Sequence, residues 1–374
     1  MKPVRKTAVL LGAGHAHLYS IRRAAEFRQQ GIRLVLIAPG PFWYSGLATG
    51  MLGGFYPPEQ DQIDVAGLVC EASGEFVQGK AARIDPSARR VIMENGREIA
   101  FDALSVNVGS EVIPLPGSDA AANVYPIKPL ESLARLRRDL EAVGSDPCRL
   151  LVVGGGASGG EIAMNARALF DRLGARRSEV RLLAAGSQLF EQFAPAAARK
   201  AARLLEARGV EVSPRARVTW VGDGTVTTEK GERFAFDFLV NAAGLRPPLL
   251  RASSLATDLS GALRVNRFLQ ALDHPAIFGG GDCVAFEERP VAKIGVYAVR
   301  EAPVLFHNLL ATLAGGEGAA LRPFKPQRRF LQILNVGDGT AFAIRHRLFW
   351  HGRASLWLKD FLDRRFLAAS RQGV

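Results

Sequence analysis

The sequence has few cysteines and no long apolar run, and both shortages limit what the protein can be. Its three cysteines, Cys70, Cys148 and Cys283, are too widely spaced for a zinc motif or a disulfide framework, which favours a reducing compartment. No stretch approaches the roughly 18 apolar residues of a membrane-spanning helix. A basic N-terminus leads directly into an apolar strand pattern, so we expect no signal peptide. We expect a cytoplasmic protein that meets a membrane, if at all, on the inner surface.

Acidic residues are outnumbered, since 36 aspartates and glutamates face 48 lysines and arginines and leave a net charge of +12. Such a charge attracts nucleic acid, anionic lipid or anionic cofactors. The basic residues are spread through helical patterns without the aromatic platforms of nucleic-acid readers, so we expect no nucleic-acid partner. The spacing of histidines, cysteines and acids supplies no metal-binding set.

Short apolar runs alternate with helical patterns, which predicts an α/β fold built from βαβ units. One unit has a strand at 8–11, a helix to about 30 and a strand at 33–38. A second unit repeats it, with a strand at 150–153, a helix to about 173 and a strand at 180–184. The duplication predicts two Rossmann-like dinucleotide-binding domains, each a parallel sheet between two layers of helices.

A glycine-rich turn follows the first strand of each unit. The first turn has glycines at 12 and 14, with His17 in place of the usual third glycine. The second has the complete GxGxxG set, Gly154, Gly156 and Gly159. Such glycines let a pyrophosphate approach the free N–H groups at a helix N-terminus. Both turns are therefore predicted to bind dinucleotides.

Both units lack the acid, about 20 residues further on, that binds a ribose 2′-hydroxyl in many such domains. The second strands end in Ala38-Pro39 and Ala184-Ala185 instead, and no basic residue for a 2′-phosphate directly follows Ala185. The choice between NADH and NADPH stays open at this point.

A third glycine-rich segment, 277–283, ends a strand pattern near the C-terminus. Its Asp282 can accept a hydrogen bond from a ribityl hydroxyl, or it can cap the next helix. Cys283 has no cysteine close by in the sequence, so we expect it to be a small buried side chain.

In order and spacing, these three segments and the segment 241–248 resemble the pyridine nucleotide-disulfide oxidoreductases, flavoproteins with two dinucleotide-binding domains. The disulfide branch of that superfamily needs a close cysteine pair, which the sequence lacks. The first turn and residues 44–46 are more similar to type II NADH dehydrogenases and to the module joined to selenophosphate synthetase. The resemblance implies FAD, a nicotinamide donor (NADH or NADPH) and a quinone-like acceptor.

The resemblance also implies which residues form the sites. FAD is expected to contact Gly12, Gly14, His15, Ala16, His17, Pro39, Ser45, Gly109, Gly281, Asp282, Gly295 and Val296. The nicotinamide nucleotide is expected to contact Gly154, Gly156, Ala157, Ser158, Gly159 and Gly244. Glu161 matches an acid near both rings, while Lys293, Tyr297 and Glu301 lie in a segment that related quinone reductases place against the flavin; these four are the expected catalytic residues.

Domain boundaries follow from the turns and loops between these units. We predict a discontinuous FAD-binding domain over 1–113 and 262–326, and an NAD(P)H-binding domain over 114–261. The segment 327–374 is predicted to be a hairpin, with strands at 330–334 and 341–344, followed by a helical tail. The tail alternates large apolar and basic side chains at helical spacing, which is typical of helices on a lipid surface, on the protein itself or on a second copy of the chain.

The predicted function is that of an FAD-dependent NAD(P)H dehydrogenase, without a redox-active disulfide, that reduces a quinone-like acceptor. One alternative is an enzyme similar to sulfide:quinone reductases, which would need cysteines at the flavin. The other is a non-catalytic, nucleotide-sensing flavoprotein linked to selenium metabolism.

Overall fold

The computed structural model describes residues 5–248, 253–315 and 320–373. Most of the basic N-terminus lies outside these ranges. The chain forms strands and helices throughout the three ranges, and their bounds are as follows.

Up to residue 113 the elements are β1 (Lys6–Leu11), α1 (His15–Arg22), α2 (Ala24–Gln29), β2 (Ile32–Ala38), β3 (Phe42–Trp43), α3 (Ser45–Leu52), β4 (Gln62–Ile63), α4 (Val65–Glu71), β5 (Glu75–Gln78), β6 (Ala81–Asp85), β7 (Arg90–Met93), β8 (Glu98–Ala100), β9 (Ala103–Val106) and β10 (Glu111–Val112). From 114 to 261 they are β11 (Val124–Pro126), α5 (Glu131–Val143), β12 (Arg149–Val153), α6 (Ala157–Leu173), β13 (Glu179–Leu183), α7 (Pro195–Ala207), β14 (Glu211–Ser213), β15 (Val218–Gly222), β16 (Thr225–Thr228), β17 (Arg233–Ala235), β18 (Phe238–Asn241) and β19 (Leu245–Arg246). The rest are β20 (Leu263–Val265), β21 (Ile277–Gly279), β22 (Val284–Phe286), α8 (Gly295–Gly315), β23 (Leu331–Asn335), β24 (Ala341–Arg345), β25 (Leu348–Gly352) and α9 (Arg353–Ser370).

Two five-stranded parallel sheets form the centre of the molecule. The first has the order β21-β9-β1-β2-β5, and the second has the order β11-β18-β12-β13-β14. In their central strands β1 and β12 the last four residues are apolar and buried, as expected for parallel strands covered on both faces. The predicted α/β fold with two Rossmann-like units is confirmed.

The first sheet takes its edge strand β21 from the chain that follows the second sheet. Strands β10 and β19 form a short antiparallel pair between the two halves. On these grounds we propose the division of the chain into 1–113 with 262–326, 114–261 and 327–374.

Two segments differ from the sequence-based expectation. The first helix, predicted to run to about 30, is interrupted at Arg23, whose φ of −106° and ψ of 24° are not helical. The predicted hairpin forms as β23 and β24, and a third strand that was not predicted follows it. This strand, β25, forms because Phe349 and Trp350 pair with β24, and the tail helix α9 begins only at Arg353.

In the ranges that the structure describes, none of the helices combines the length and the apolar character needed to cross a bilayer.

Candidate functional site

The first glycine turn lies between β1 and α1. Gly12 has a φ of +88°, and a β-carbon there would be 2.3 Å from the carbonyl oxygen of Asn107. A β-carbon on Gly14 would be 2.1 Å from Asn107 Oδ1. Only glycine fits these two positions, so the turn brings bare backbone to the N-terminus of α1, where the helix dipole favours an anion.

Asn107 connects this turn to the third glycine-rich segment. It follows β9 and is buried. Its Oδ1 accepts a hydrogen bond from the backbone N of Ala16 at 3.2 Å, and its Nδ2 donates to the carbonyl of Gly280 at 2.6 Å. Asn107 was not predicted from the sequence, although a polar side chain directly after a buried strand, at the carboxyl edge of a parallel sheet, is a usable signal.

His17 occupies the position of the missing third glycine and is fully buried. Its Nδ1 is 2.6 Å from the carbonyl oxygen of Gly12, which can only accept, so Nδ1 carries the proton. Nε2 then accepts from the Ser105 hydroxyl at 2.8 Å. Burial lowers the pKa of His17 to about 4, so the ring is neutral and holds the carbonyl of the turn in place.

His15, at the start of α1, lies in an aromatic cluster. Its ring is 4.8 Å from Phe42, 5.7 Å from Tyr44 and 5.9 Å from Phe366 of α9. Burial lowers its pKa to about 4 as well. A β-carbon on Gly295 would be 3.5 Å from Nε2 of His15, so the N-termini of α1 and α8 meet at this ring.

Asp282 lies in a charged group that joins the two halves of the chain. The Lys128 ammonium, which follows β11, forms an ion pair with Asp282 Oδ2 and donates to Ser110 Oγ at 2.8 Å. Ser110 donates to the same carboxylate oxygen at 3.0 Å. Burial alone would raise the pKa of Asp282, but Lys128 and Ser110 hold it below its usual value. Asp282 therefore stays ionised as an acceptor, and Lys128 is a second residue that the sequence analysis missed.

Helix α8 approaches the same turn with its first two turns. Glu301 is buried and accepts a hydrogen bond from the backbone N of Gly281 at 2.6 Å. Burial raises the pKa of Glu301 to about 7. Tyr297, one turn earlier, donates instead to the carbonyl of Gln327 at 2.9 Å. Gly295 and Val296 begin the helix.

Glu161, in the first turns of α6, joins three parts of the chain. Its Oε1 accepts hydrogen bonds from Thr49 Oγ1 of α3 at 2.9 Å and from the backbone N of Asn335 of β23 at 2.8 Å. Burial raises the pKa of Glu161, and the nearby Lys359 ammonium opposes that rise.

The second glycine turn lies between β12 and α6. Gly154 has a φ of +131°, and a β-carbon there would be 2.7 Å from the carbonyl oxygen of Ala242. A β-carbon on Gly159 would be 1.9 Å from the carbonyl oxygen of Gly154. At Gly156 the nearest atom is 3.9 Å away, and no side chain caps the N-terminus of α6, which begins at Ala157 and Ser158. The turn thus leaves open space in front of a helix N-terminus.

The remaining expected site residues lie at more exposed places. Pro39 follows β2, and Ser45 begins α3. Gly109 follows β9 with φ +69° and with open space on its β-carbon side, while Gly244, also at φ +69°, precedes β19. Lys293 is exposed just before α8, and its charge acts on Asp258.

The two buried cysteines are unsuited to sulfur chemistry. Cys148 and Cys283 are buried and Cys70 is exposed, and all three are free. Burial raises the pKa of the Cys283 thiol to about 12 and also raises that of Cys148. A thiol reacts as its thiolate, so neither buried cysteine is an active nucleophile at neutral pH.

Comparison with known proteins agrees with this arrangement. The family described as pyridine nucleotide-disulphide oxidoreductase matches residues 6–302, which include both glycine turns and the Asp282 turn. The chain belongs to this family. It is an oxidoreductase, and the resemblance drawn from its sequence is confirmed.

Curated relatives of this oxidoreductase match over most of its length. Ferroptosis suppressor protein 1 of Taeniopygia guttata is 28% identical over 279 residues, covering 71% of this chain and 70% of the relative. Demethylphylloquinone reductase NdbB of Synechocystis is 26% identical over 304 residues, covering 75% and 72%. The similarity to the module joined to selenophosphate synthetase stays a prediction.

Solved structures share the fold of this oxidoreductase. NDH2 of Plasmodium falciparum superposes with a TM-score of 0.80 at 13% identity, covering 98% of this chain and 96% of that one. The sulfide:quinone oxidoreductase of Aquifex aeolicus also gives 0.80, at 18% identity over 99% and 92%.

Proposed function

We propose that this oxidoreductase is an FAD-dependent NAD(P)H dehydrogenase that passes electrons to a quinone-like acceptor. One observation carries the proposal: Asn107 and Glu301 hold the first glycine turn, the Gly281–Asp282 turn and the N-terminus of α8 together. The named activity of the Synechocystis relative, a demethylphylloquinone reductase, supports a quinone-like acceptor. NADH dehydrogenase-like relatives support the nicotinamide donor.

The residues around the first turn fit FAD. The N-terminus of α1 provides a place for its pyrophosphate, because Gly12 and Gly14 pack so closely on Asn107 that only bare backbone precedes the helix. The ionised Asp282 provides an acceptor for a ribityl hydroxyl, as proposed from the sequence. The N-terminus of α8, at Gly295 and Val296, would place a positive dipole end beside the ring. We propose that His15, Ala16, His17, Pro39, Ser45 and Gly109 complete this site.

The second turn fits a nicotinamide nucleotide. The uncapped N-terminus of α6 and the open space at Gly156 suit a pyrophosphate. We propose that Gly154, Ala157, Ser158, Gly159 and Gly244 form this second site.

When bound, FAD would supply the hydride-accepting and electron-transferring chemistry. Reduction of a quinone by NAD(P)H consumes one proton from water in addition to the hydride. Glu301 has its pKa near neutrality because it is buried, so it can exchange a proton beside the Gly281 turn. Burial also raises the pKa of Glu161, in the first turns of α6. We propose that Glu301 and Glu161 hold and exchange this proton. We propose that Tyr297, on α8, and Lys293, just before it, assist them.

A surface formed by β25 and α9 supports a place on the inner face of a membrane. Leu348 and Trp357 are 73% and 69% exposed, and large apolar side chains surround them. The exposed apolar side chains are Leu348, Phe349, Trp350, Trp357, Phe361 and Leu362, and the exposed arginines beside them in sequence are Arg345, Arg347, Arg353, Arg364 and Arg365. Aromatic and basic side chains together suit anionic lipid headgroups. A second copy of the chain is the alternative occupant.

The test is an anaerobic titration of the purified protein. We expect a bound FAD spectrum, rapid bleaching by NADH or NADPH and reoxidation by a soluble quinone. Bleaching by sulfide would favour the sulfide:quinone alternative, which the buried thiols argue against. A slow response that is independent of the acceptor would favour a nucleotide sensor. A colourless protein that takes up no FAD would end the proposal.

A further inference from the structure

Strand β13, which follows the second glycine turn in the chain, ends without an acid. The structure shows why the residue at that position has a small side chain. Strand β13 ends at Leu183, and Ala184 follows it. A β-carbon on Gly155 would be only 2.7 Å from the Ala184 methyl group. Ala184 is therefore packed against the glycine turn itself, at the place where dinucleotide domains usually carry the ribose-binding carboxylate.

The loop that follows β13 turns back over the glycine turn. The backbone N of Phe190 donates to the carbonyl of Gly155 at 2.8 Å. The Phe190 ring is fully buried, stacks on Phe193 at 5.8 Å and lies where a β-carbon on Gly160 would be 2.5 Å away. Phe190 has a φ of +56°, a conformation that a bulky residue rarely adopts. The buried ring thus fixes the loop in a strained shape.

That anchored loop brings Glu191 to the end of β13. Its Oε1 lies 2.3 Å from the position that a β-carbon on Gly186 would take, so the carboxylate covers Gly186, three residues after Leu183. Glu191 is exposed. Among the residues that the structure describes, no lysine or arginine forms an ion pair with it. The Glu191 carboxylate therefore lies in the loop after β13, next to Phe190, whose backbone N bonds the carbonyl of Gly155 in the second glycine turn.

We propose that Glu191 takes the place of the missing strand-end acid and selects NADH over NADPH. The inference rests on the proposed function, since it assigns the second glycine turn to a nicotinamide nucleotide. A carboxylate accepts hydrogen bonds from the ribose 2′- and 3′-hydroxyls of NADH. It repels the 2′-phosphate of NADPH, which carries up to about two negative charges at neutral pH.

Arg215 is the alternative residue that could contact the adenosine ribose. It follows β14, and its backbone N donates to the carbonyl of Gly186 at 2.9 Å. If its guanidinium rather than the Glu191 carboxylate met the adenosine ribose, the site would prefer the 2′-phosphate. The two residues therefore make opposite predictions about nucleotide preference.

The test measures binding of NAD⁺ and NADP⁺ to the purified full-length protein by calorimetry. We expect wild type to bind NAD⁺ at least about tenfold more tightly, and Glu191→Gln to reduce that ratio by roughly tenfold, the usual effect of losing a charge-assisted hydrogen bond. Glu206→Gln, on the exposed side of α7, is the matched control and should leave the ratio unchanged. Arg215→Ala should also leave it unchanged.

A wild type that prefers NADP⁺, or a ratio that responds to Arg215→Ala and not to Glu191→Gln, would overturn the inference. Binding of these nucleotides needs neither flavin nor turnover. A protein with the expected Glu191-dependent preference but no quinone reduction would contradict only the proposed function, and one that reduces quinones with NADPH as readily as with NADH would contradict only this inference. Failure to bind either nucleotide would remove both.

Discussion

Replacement of Asp61 is expected to change how the free energy of opening helix α9 depends on pH. Asp61 ends the 3-10 turn Pro58–Asp61 and is fully buried. Within the described residues, both of its carboxylate oxygens are without a hydrogen-bond partner. Arg371, at the end of α9, donates to the carbonyl groups of Gln60 and Gln62 on either side of it, so α9 covers this carboxyl.

The charged surroundings of Asp61 come mostly from α9. Lys359 and Arg371 are its nearby cations and Asp363 is its nearby anion, while Tyr44 is a neutral titratable group that also interacts with it. Helix α3, which packs against the same turn, has no titratable side chain. Burial outweighs the two cations and raises the pKa of Asp61 from 3.8 to about 8.

The sign and size of the effect follow from linkage. Between pH 4 and pH 8 the closed form keeps a proton that an opened, hydrated Asp61 would release, so opening becomes easier as pH rises. One pKa unit corresponds to about 1.4 kcal/mol. From pH 6 to pH 8 the free energy of opening α9 should therefore fall by about 2 kcal/mol because of this one group, and the effect should level off above its folded pKa.

Hydrogen exchange of the α9 amides, corrected for the intrinsic pH dependence of exchange, measures this opening. In wild type, this change of about 2 kcal/mol should lower the protection of the α9 amides about thirtyfold between pH 6 and pH 8. The side chain of Asp61→Asn cannot ionise, so the protection of the variant should not show this fall. Glu59→Gln, an exposed acid in the same turn, should behave as wild type. Equal pH profiles for wild type and Asp61→Asn would refute the reasoning, because the titrating group would then lie elsewhere.

Three further predictions concern the proposed cofactor site and the exposed apolar surface. Asn107→Ala leaves the backbone N of Ala16 and the carbonyl of Gly280 without their hydrogen-bond partner, at a cost of about 1–3 kcal/mol each. FAD affinity, measured by flavin fluorescence, should therefore fall at least about tenfold. Unchanged affinity would show that Asn107 does not position the turn. Lys128→Met removes the cation that keeps the pKa of Asp282 low. In a series of FAD-binding measurements at different pH, the pH below which binding weakens should therefore move upward. An unchanged midpoint would contradict the role given to the ion pair. Replacing Trp357 and Phe361 together by serine should reduce sedimentation with anionic vesicles by at least about tenfold, whereas Trp220→Ser, at a tryptophan of β15 that is 58% exposed, should not. Loss of a dimer instead of vesicle binding would identify a second copy as the partner of this surface.

The sequence predicts those parts of the site that depend on local geometry. Gly12 and Gly154 stand where a tight turn must leave a strand and enter a helix, and only glycine tolerates their positive φ values and close contacts. The apolar strands before these two glycines can likewise be recognised from the local sequence alone. The α/β fold was therefore predictable without any structural information.

The residues that complete the site depend on contacts between distant parts of the chain. Asn107, Lys128 and Glu191 are common residue types, and each acquires its proposed role from a partner far away in the sequence or from a loop that folds back. No periodicity marks such positions. For the same reason β25 was not predicted, since a short apolar run suits either a helix or a strand until a neighbouring strand is available to pair with it.

The late position of β21 in the chain affects the order in which a ribosome can complete the two sheets. All strands of the second sheet lie within residues 124–241, whereas the first sheet lacks an edge until residues 277–279 have been made. During synthesis the inserted half can therefore finish folding while the opening half still exposes the open side of β9. A chain stopped just before β21 would have one closed domain and one with an unpaired, aggregation-prone strand.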